Sequence, residues 1–328
     1  MIRLALRTAL VAIAAVVAFV GLAALGNARV DAPTAHATSR LRAAALSPLA
    51  APLELRVVTF NIADGYGFTN NRSERMRAVA RTLTELDPDL VGLQESFIEA
   101  DRELLLRELA GSRLAHHVRF PGATVGNGLL ILSALPIEEA WFHRYASNNP
   151  WYRLWEGDWW AGKGIGLARV RLPDGSLLDF FDTHAQAGRN NPANETVRLA
   201  QMAELARFVR DARIPGAPAL VVGDFNTRPS APDYALAVRE TPLLRLMTVD
   251  SEIDHVFAVP DAALSYETLE TREIAGTLAT PRPEVFLDRA PTLREIGAML
   301  FGAPGTSRLS DHPGYLVALR IAGTVVKE

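Results

Sequence analysis

The sequence predicts an α/β (α+β) domain in which packed, mixed β-sheets have helices on their outer faces. Two observations support this fold class. Apolar strand-like runs alternate with segments of helical periodicity from about residue 53 onwards. Two of the runs, 165–172 and 177–183, are separated only by the turn signal Pro173-Asp174-Gly175, which predicts an antiparallel hairpin. A hairpin among helix-linked strands argues against an all-parallel sheet.

The first predicted strand is the apolar run LRVVTFN at 55–61. A helix follows it and ends before Pro88, because apolar residues recur at helical spacing, at Met76, Val79, Ala80, Leu83 and Leu86. The run DLVGLQE, which ends at Glu95, is the next strand. Further strand-like runs lie at 129–133, 165–172, 177–183, 219–224, 254–259 and 314–320. The folded domain is therefore expected to cover residues 53–321.

The N-terminus has the charge order of an export signal. The uncharged run at 8–25 lies behind Arg3 and Arg7. Its length falls between the apolar core of a signal peptide and a full membrane span, and Gly26-Asn27-Ala28 is a mediocre cleavage site. For residues 1–28, a cleaved signal peptide and a retained membrane anchor are both open. The protein is expected to be exported and either secreted or anchored to the membrane.

Composition limits the classes of partner and site. Residues 29–52 are rich in Ala, Pro, Ser and Thr and are interpreted as a flexible linker, and residues 322–328 as a tail. The chain has no cysteine, so it forms no disulfide and no thiolate metal site. Its formal net charge of −3 becomes −5 if Arg3 and Arg7 leave with the leader. Nucleic acid is disfavoured as a substrate because no overall positive field attracts a polyanion. No protein partner is implied.

Polar residues stand at or just beyond the ends of the apolar runs. They are Asn61, Glu95, His184, Asp224, Asn226, Asp254, Asp311 and His312. Such positions converge in space when the strands share a sheet. Carboxylate and amide oxygens with few histidines are the ligands of a hard cation, which favours Mg²⁺, with Mn²⁺ or Ca²⁺ as substitutes.

Six motifs give these residues a family resemblance. They are TFNI (59–62), LQES (93–96), DTHAQA (182–187), VVGDFNTRP (221–229), EIDHVF (252–257) and LSDHPG (309–314). Their order resembles that of the endonuclease/exonuclease/phosphatase superfamily. The segments AHHVRF, GNGLLILSALPI and FHRYASNNPWYRLWEGDWWAGKGIGLARVRL, within 115–172, resemble the neutral sphingomyelinases of animal and yeast type. The resemblance implies a DNase I-like fold, a four-layer sandwich of two mixed β-sheets flanked by helices.

The resemblance also implies a metal site and a hydrolytic reaction. Glu95 would be the principal Mg²⁺ ligand, with Asn61 and, through water, Asp311. The reaction would be in-line attack of water on a phosphodiester. For sphingomyelin at a membrane surface, the products would be ceramide and phosphocholine.

The remaining roles are assigned by the same resemblance. Asp224 and Asn226 would orient the water and a phosphate oxygen, and His184 would donate to the phosphate. His312 would be the general base, because imidazole titrates near neutral pH, and Asp254 would hold its tautomer. Four further histidines, His116, His117, His143 and His255, are interpreted as structural or solvated. By strand alternation, His255 should point away from the site.

Asp158 and Lys163 match an Asp and Lys pair of the sphingomyelinases, whose lysine would reach the substrate. An exposed surface ion pair is the alternative. All five tryptophans lie between 141 and 160, where they would suit either a membrane interface or a small satellite core.

Segment 272–308 contains a predicted short helix at 291–300 and either caps the site or is a plain insertion. Two other functions were weighed against the lipid phosphodiesterase. The first is an exported DNase-like nuclease or a polyphosphate or inositol phosphatase of the same fold, which a basic loop at 142–165 would have favoured. The second is a non-catalytic membrane-binding module, which the intact set of acidic residues and histidines argues against.

Overall fold

The structure is a computed structural model that describes residues 2–28, 49–65, 69–120, 122, 125–153, 156–284 and 305–324. Most of the predicted linker and tail, and the predicted helix at 291–300, lie outside these residues. The N-terminal helix α1 spans Ile2–Ala28. Over the described part of the chain, no helix is both long enough and apolar enough to cross a membrane.

The first sheet has six strands in the spatial order β11, β14, β1, β2, β4, β3. Their bounds are β1 Leu53–Asp64, β2 Leu90–Ser96, β3 His116–Arg119, β4 Leu130–Ser133, β11 Leu264–Ile274 and β14 Gly314–Gly323. β1 and β2 are parallel, whereas β14 runs antiparallel to β1 on its other side. The sheet is therefore mixed.

The second sheet also has six strands, in the order β5, β6, β7, β8, β10, β9. Their bounds are β5 Ile137–Arg144, β6 Gly164–Arg171, β7 Leu177–His184, β8 Ala219–Asp224, β9 Leu244–Arg245 and β10 Asp254–Ala258. The parallel pair is β7 and β8. A separate two-stranded ribbon joins β12 Thr277–Thr280 to β13 Gly305–Arg308.

Three apolar cores separate four layers. One lies between the two sheets, where Val57 and Val317 of the first pack with Phe180 and Val222 of the second. Another lies between the first sheet and helices α2 Arg72–Leu86 and α3 Glu99–Glu108. The third lies between the second sheet and helices α4 Pro192–Ala212 and α5 Pro232–Glu240. Strands that are apolar on both faces are expected in this arrangement, because each sheet is covered on both sides.

The predicted fold class is confirmed, as are the elements on which it was based. The hairpin joins β6 to β7, with Gly175 at φ +86° in its turn. The predicted helix ends at Leu86, and each predicted strand overlaps an observed one. Edge strands such as β3 and β11, and helices α4 and α5, were not predicted individually. Their faces are half-exposed, so their apolar periodicity is weak.

Candidate active site

Three adjacent strands of the second sheet place polar side chains in a row. Asp224 ends β8, and the strand pairing sets it beside His184 of β7 on one side and Asp254 of β10 on the other. Because β7 and β8 are parallel and β10 begins where β8 ends, the three side chains lie at one edge of the sheet. All three are buried.

The turn after β8 depends on a glycine. Gly223 has φ +144°, and a Cβ atom there would lie 2.0 Å from the carbonyl oxygen of Thr183. Only glycine permits this close approach of β8 to β7. Beyond it, Asn226 has a left-handed φ of 51°, its backbone N–H donates to Asp224 Oδ1 at 2.8 Å, and its side-chain amide donates to the Ala185 carbonyl at 3.2 Å.

The first sheet supplies Asn61 and Glu95 from its parallel strands β1 and β2. Glu95 has φ 56°, a left-handed conformation that turns it out of the regular alternation of β2. The Asn61 side-chain N–H groups donate to Glu95 Oε1 and to Asp224 Oδ2, each at 3.0 Å. Asn61 thus links the two sheets at the site, while its own Oδ1 accepts from the Ala63 N–H at 2.9 Å.

Asp311 and His312 enter the site just before β14. His312 Nδ1 lies 2.9 Å from Asp254 Oδ2, and its Nε2 lies 3.7 Å from Asp224 Oδ2 and 3.6 Å from Asp311 Oδ1. Nδ1 therefore faces the buried carboxylate of Asp254. Nε2 is the nitrogen directed towards the other acidic groups.

His184 lies close to acidic groups of both sheets. Its Nε2 is 3.8 Å from Glu95 Oε1 and 3.6 Å from Asp224 Oδ2. The ammonium of Lys163 lies 2.9 Å from the same nitrogen. Burial, together with the charges of Lys163 and His312, lowers the pKa of His184 well below its ordinary value. The imidazole is therefore neutral, and Nε2 accepts a hydrogen bond from Lys163.

Lys163 and Asp158 form a buried ion pair rather than an exposed one. Their side chains are 4% and 12% exposed, and Nζ lies 2.7 Å from Asp158 Oδ1. The lysine also donates to the Ala185 carbonyl at 2.8 Å. Asp158 Oδ2 accepts from the Gln186 side chain and from the Ala187 N–H, both at 2.6 Å. The pair thus fixes the loop before β6 against the segment that follows His184.

The site has more acidic than basic groups, and this imbalance shifts its pKa values. Burial and the neighbouring charge of Asp311 raise the pKa of Glu95 to about 7. Burial and Asp254 raise the pKa of Asp224 to about 6. Burial alone would lower the pKa of His312, but the carboxylates of Asp254, Asp224 and Asp311 outweigh it and raise the value to about 11.

This donor set fits a hard divalent cation. Among the residues that the structure describes, no three His, Cys, Asp or Glu side chains are grouped so as to hold a metal by themselves. Mg²⁺ does not need such a cage, since one or two carboxylates usually hold it together with water and substrate phosphate. After burial, repulsion between the carboxylates of Asp311 and Glu95 raises the pKa of Glu95, and a bound cation would relieve this repulsion. Asn61 could bind the metal ion through Oδ1 only after its side-chain amide flipped, because Oδ1 now accepts a hydrogen bond from the Ala63 N–H.

The predicted site residues converge on one open cavity of about 710 Å³. Those that line it are Asn61, Glu95, Asp158, Asp224, Asn226, Asp311 and His312. Lys163 and His184 lie just beneath it, and Asp254 behind His312. The prediction that His255 faces away is confirmed, because its ring is fully buried beside Phe225, Tyr234 and Phe257.

Part of the cavity wall was missed by sequence reasoning. Gln186, Arg189, Asn190, Asn191 and Asn194 also line it. The available signal was the run GRNNPAN, a dense polar stretch directly after the DTHAQA motif. This run leads into α4, where the Asn191 side chain caps the helix by accepting from the Ala193 N–H.

The described tryptophan side chains pack against protein. Trp159 is buried and meets Trp160 edge to face, with ring centroids 4.6 Å apart. Trp160 stacks on Phe19 of α1 at 5.7 Å, and Trp141 lies under the guanidinium of Arg169. Trp155 is outside the described residues. The packed arrangement predicted for this loop therefore holds for Trp159, while Trp160 is only partly covered.

Comparison with known proteins identifies relatives in sequence. A family model described as the endonuclease/exonuclease/phosphatase family matches residues 58–312. An inositol phosphosphingolipids phospholipase C of Schizosaccharomyces pombe is 30% identical over 234 residues, which are 70% of this chain and 54% of that protein. Sphingomyelin phosphodiesterase 2 of Homo sapiens is 32% identical over 179 residues, 54% of this chain and 42% of that protein. The chain spans about half the length of these curated relatives.

Solved structures show the same fold. Sphingomyelinase C from Streptomyces griseocarneus superposes with a TM-score of 0.59 at 17% identity, covering 81% of this chain and 99% of that one. A β toxin variant from Staphylococcus aureus, solved with bound magnesium ions, gives a TM-score of 0.59 at 16% identity over the same fractions. The predicted four-layer architecture and the resemblance drawn from the six motifs are both confirmed.

Proposed function

The chain belongs to the endonuclease/exonuclease/phosphatase family, and from this premise we propose that it is a Mg²⁺-dependent phosphodiesterase of the sphingomyelinase type. Its substrate would be sphingomyelin or a related (lyso)phospholipid, cleaved to ceramide or another lipid alcohol and a phosphorylated headgroup. The observation that supports this most is that Glu95 and His312, 217 positions apart in sequence, line one cavity with Asp224 and Asn226.

The substrate class is supported by the relatives and by the loop before β6. The matched curated proteins are named for sphingomyelin and for inositol phosphosphingolipids. Lys163 and Asp158 match the substrate-binding pair of the sphingomyelinase resemblance; Asp158 lines the cavity, and Lys163 is buried beside it. Amide side chains and Arg189 on the wall offer donors to an oxygen-rich headgroup.

Glu95 and Asp311, with Asn61 after its amide turns over, are the residues that would hold the cation. A bound Mg²⁺ supplies Lewis-acid stabilisation of the phosphate and of the leaving alkoxide. The protein must keep Glu95 ionised for this role. Before its amide turns over, Asn61 contributes to that, because the hydrogen bond it donates to Glu95 lowers the pKa of the carboxyl against the effect of burial.

His312 is the proposed general base. Asp254 faces Nδ1, so Nε2 is the nitrogen that accepts the proton from water. The base role needs the neutral imidazole. A cation that compensates the charges of Asp224 and Asp311 would lower the His312 pKa, against Asp254, whose charge and hydrogen bond raise it most. The water oxygen then forms a bond to phosphorus as the bond to the lipid oxygen breaks, and that oxygen takes its proton from solvent.

Asp224, Asn226 and His184 orient the reactants. Asp224 Oδ2 lies within 4 Å of both histidines, so it can hold the water between them. Lys163 keeps His184 in place and adds positive charge beneath the phosphate position, where negative charge redistributes in the reaction. Export, with secretion or anchoring by residues 1–28, would bring the site to lipid at a membrane surface.

A substrate panel tests the proposal. Purified protein is assayed with Mg²⁺ on vesicles of sphingomyelin, inositol phosphosphingolipid, phosphatidylcholine or lysolipid, and on plasmid DNA. Phosphorylated headgroup should be released from a sphingolipid, EDTA should stop release, and added Mg²⁺ should restore it. Cleavage of DNA with no release from any lipid would replace the proposal with the nuclease alternative. Undiminished release in EDTA would remove the metal from it.

A further inference from the structure

Arg75 is a fully buried arginine that binds the backbone of two separate chain segments. It lies in the first turn of α2 and has no exposed surface. Its guanidinium donates to the carbonyl oxygens of Leu309 at 3.0 Å and Ala63 at 3.2 Å, and also to that of Ile62. One side chain therefore joins the end of β1 to the segment that leads into β14.

These two segments hold opposite sides of the active site. Asn61, which contacts Glu95, directly precedes Ile62 on β1. Asp311 and His312 follow Leu309 by two and three positions. A change in the distance between the segments would separate the proposed metal ligands on β1 and β2 from Asp311.

The sheet does not fix that distance. The antiparallel ladder between β1 and β14 ends at the pair Thr59 and Tyr315. Residues 60–63 and 309–314 lie beyond its last pair. The Leu309 N–H donates to the Gly276 carbonyl at 3.1 Å, which ties the segment to a different part of the chain. The Arg75 guanidinium thus makes a connection where the ladder has stopped.

Arginine is suited to this contact. Its guanidinium presents donors in a rigid plane, whereas a lysine ammonium is a single, rotatable point of attachment. Burial lowers the pKa of Arg75, and the carboxylate of Asp64, itself fully buried, opposes the shift. A buried cation is costly unless its donors are satisfied, so the three carbonyl oxygens are held firmly around it.

We propose that Arg75 is a positioning residue that sets the spacing between the Asn61–Glu95 side of the site and the Asp311–His312 side. The inference rests on the proposed function of the site, because it assigns Arg75 an effect on Mg²⁺ binding and turnover without contact with either.

Arg75→Lys is the test, and Arg169→Lys is its matched control. Arg169 is also fully buried, and it binds Asp179 and the Ala212 carbonyl away from the cavity. Both variants should lose thermal stability. Only Arg75→Lys should weaken Mg²⁺ binding, measured by calorimetry without substrate, and lower kcat, each by about tenfold to a hundredfold, the range seen when groups that orient metal ligands are changed.

Equal Mg²⁺ affinity and kcat in the two variants would overturn the positioning role and leave the proposed function standing. A wild type that binds no Mg²⁺ overturns both together. If Arg75→Lys does not fold, the double variant Asp64→Asn with Arg75→Met removes the buried charges as a pair, which proteins tolerate better than one unpaired charge. This double variant should show the same loss of Mg²⁺ affinity. If it binds Mg²⁺ as tightly as the wild type does, the positioning role of Arg75 is overturned.

Discussion

The strand-end row of His184, Asp224 and Asp254 and the aromatic loop at 141–163 build the same cavity by different means. The row is fixed by strand register: β7, β8 and β10 pair backbone to backbone, and their side chains have no freedom to separate. The loop is fixed by side chains that reach distant elements, such as Lys163 with His184 and Trp160 with Phe19. The proposed catalytic groups lie in the first region. The proposed substrate-binding pair, Asp158 and Lys163, belongs to the second.

The largest effect should come from His312, the proposed general base, which lies beside the strand-end row. His312→Ala should lower kcat by about 10² to 10⁴, the usual contribution of a general base. The variant should still fold, with a lowered Tm, because it leaves the buried carboxylate of Asp254 without its imidazole partner. His117→Ala, at an exposed position of β3, is the control and should be fully active. Hydrolysis of sphingolipid vesicles measures both, and a fully active His312→Ala would remove the proposed mechanism.

A smaller effect is expected from Lys163, which connects the aromatic loop to His184 of the strand-end row. Lys163→Met removes the ammonium from His184 Nε2 and leaves Asp158 without its ion-pair partner. We expect kcat to fall by about tenfold to a hundredfold, as for other groups that support catalytic residues. The double variant Asp158→Asn with Lys163→Met separates the causes. If it regains wild-type kcat, Lys163 serves only to neutralise Asp158; if kcat stays low, the lysine acts through His184 or the phosphate.

The same contrast explains what could be predicted from sequence. Asp224 and Glu95 were predictable because each follows an apolar run inside a recognisable motif, and parallel strands bring such positions together. The pairing of Asp158 with Lys163 was predicted, but its burial and its contact with His184 were not. These contacts join elements that are distant in sequence, and local sequence patterns do not show how such elements are placed relative to one another. Arg75 gave no signal for a similar reason: it occupies an ordinary helix position, and its partners are backbone carbonyls as far away as Leu309.

The anchoring of the loop should depend on pH. Glu204 on α4 accepts from the Ala146 N–H at 2.7 Å and the Ser147 N–H at 2.9 Å, and it contacts His143 at 3.1 Å. Burial alone would raise the pKa of Glu204, but these hydrogen bonds outweigh it and lower the value. A carboxyl with a lowered folded-state pKa stabilises the fold above its unfolded pKa, and this contribution is lost as pH falls through the folded value.

Glu204→Gln should therefore destabilise the protein at pH 7 by about 1.5–3 kcal/mol, the range for hydrogen bonds to a charged group. The difference from wild type should shrink as the pH falls below about 4. Thermal unfolding at several pH values measures it, with Glu195→Gln on the same helix as control. A difference that does not vary with pH would mean that the charge of Glu204 is not what anchors the loop.

The smallest effect concerns the proposed contact of the loop with a membrane. Trp160 is partly exposed, whereas its neighbour Trp159 is buried, so of these two rings only Trp160 is placed to enter a lipid interface without unfolding the loop. Trp160→Ser should weaken binding to sphingomyelin vesicles by about two- to tenfold, in line with the loss of one aromatic contact. Cleavage of a soluble, monomeric substrate analogue should change less. Trp159→Ser, in contrast, should lower Tm and reduce both activities together, because it removes a ring from the packed cluster. Equal losses on vesicles and on the soluble analogue in Trp160→Ser would show that this ring, too, serves only to hold the loop.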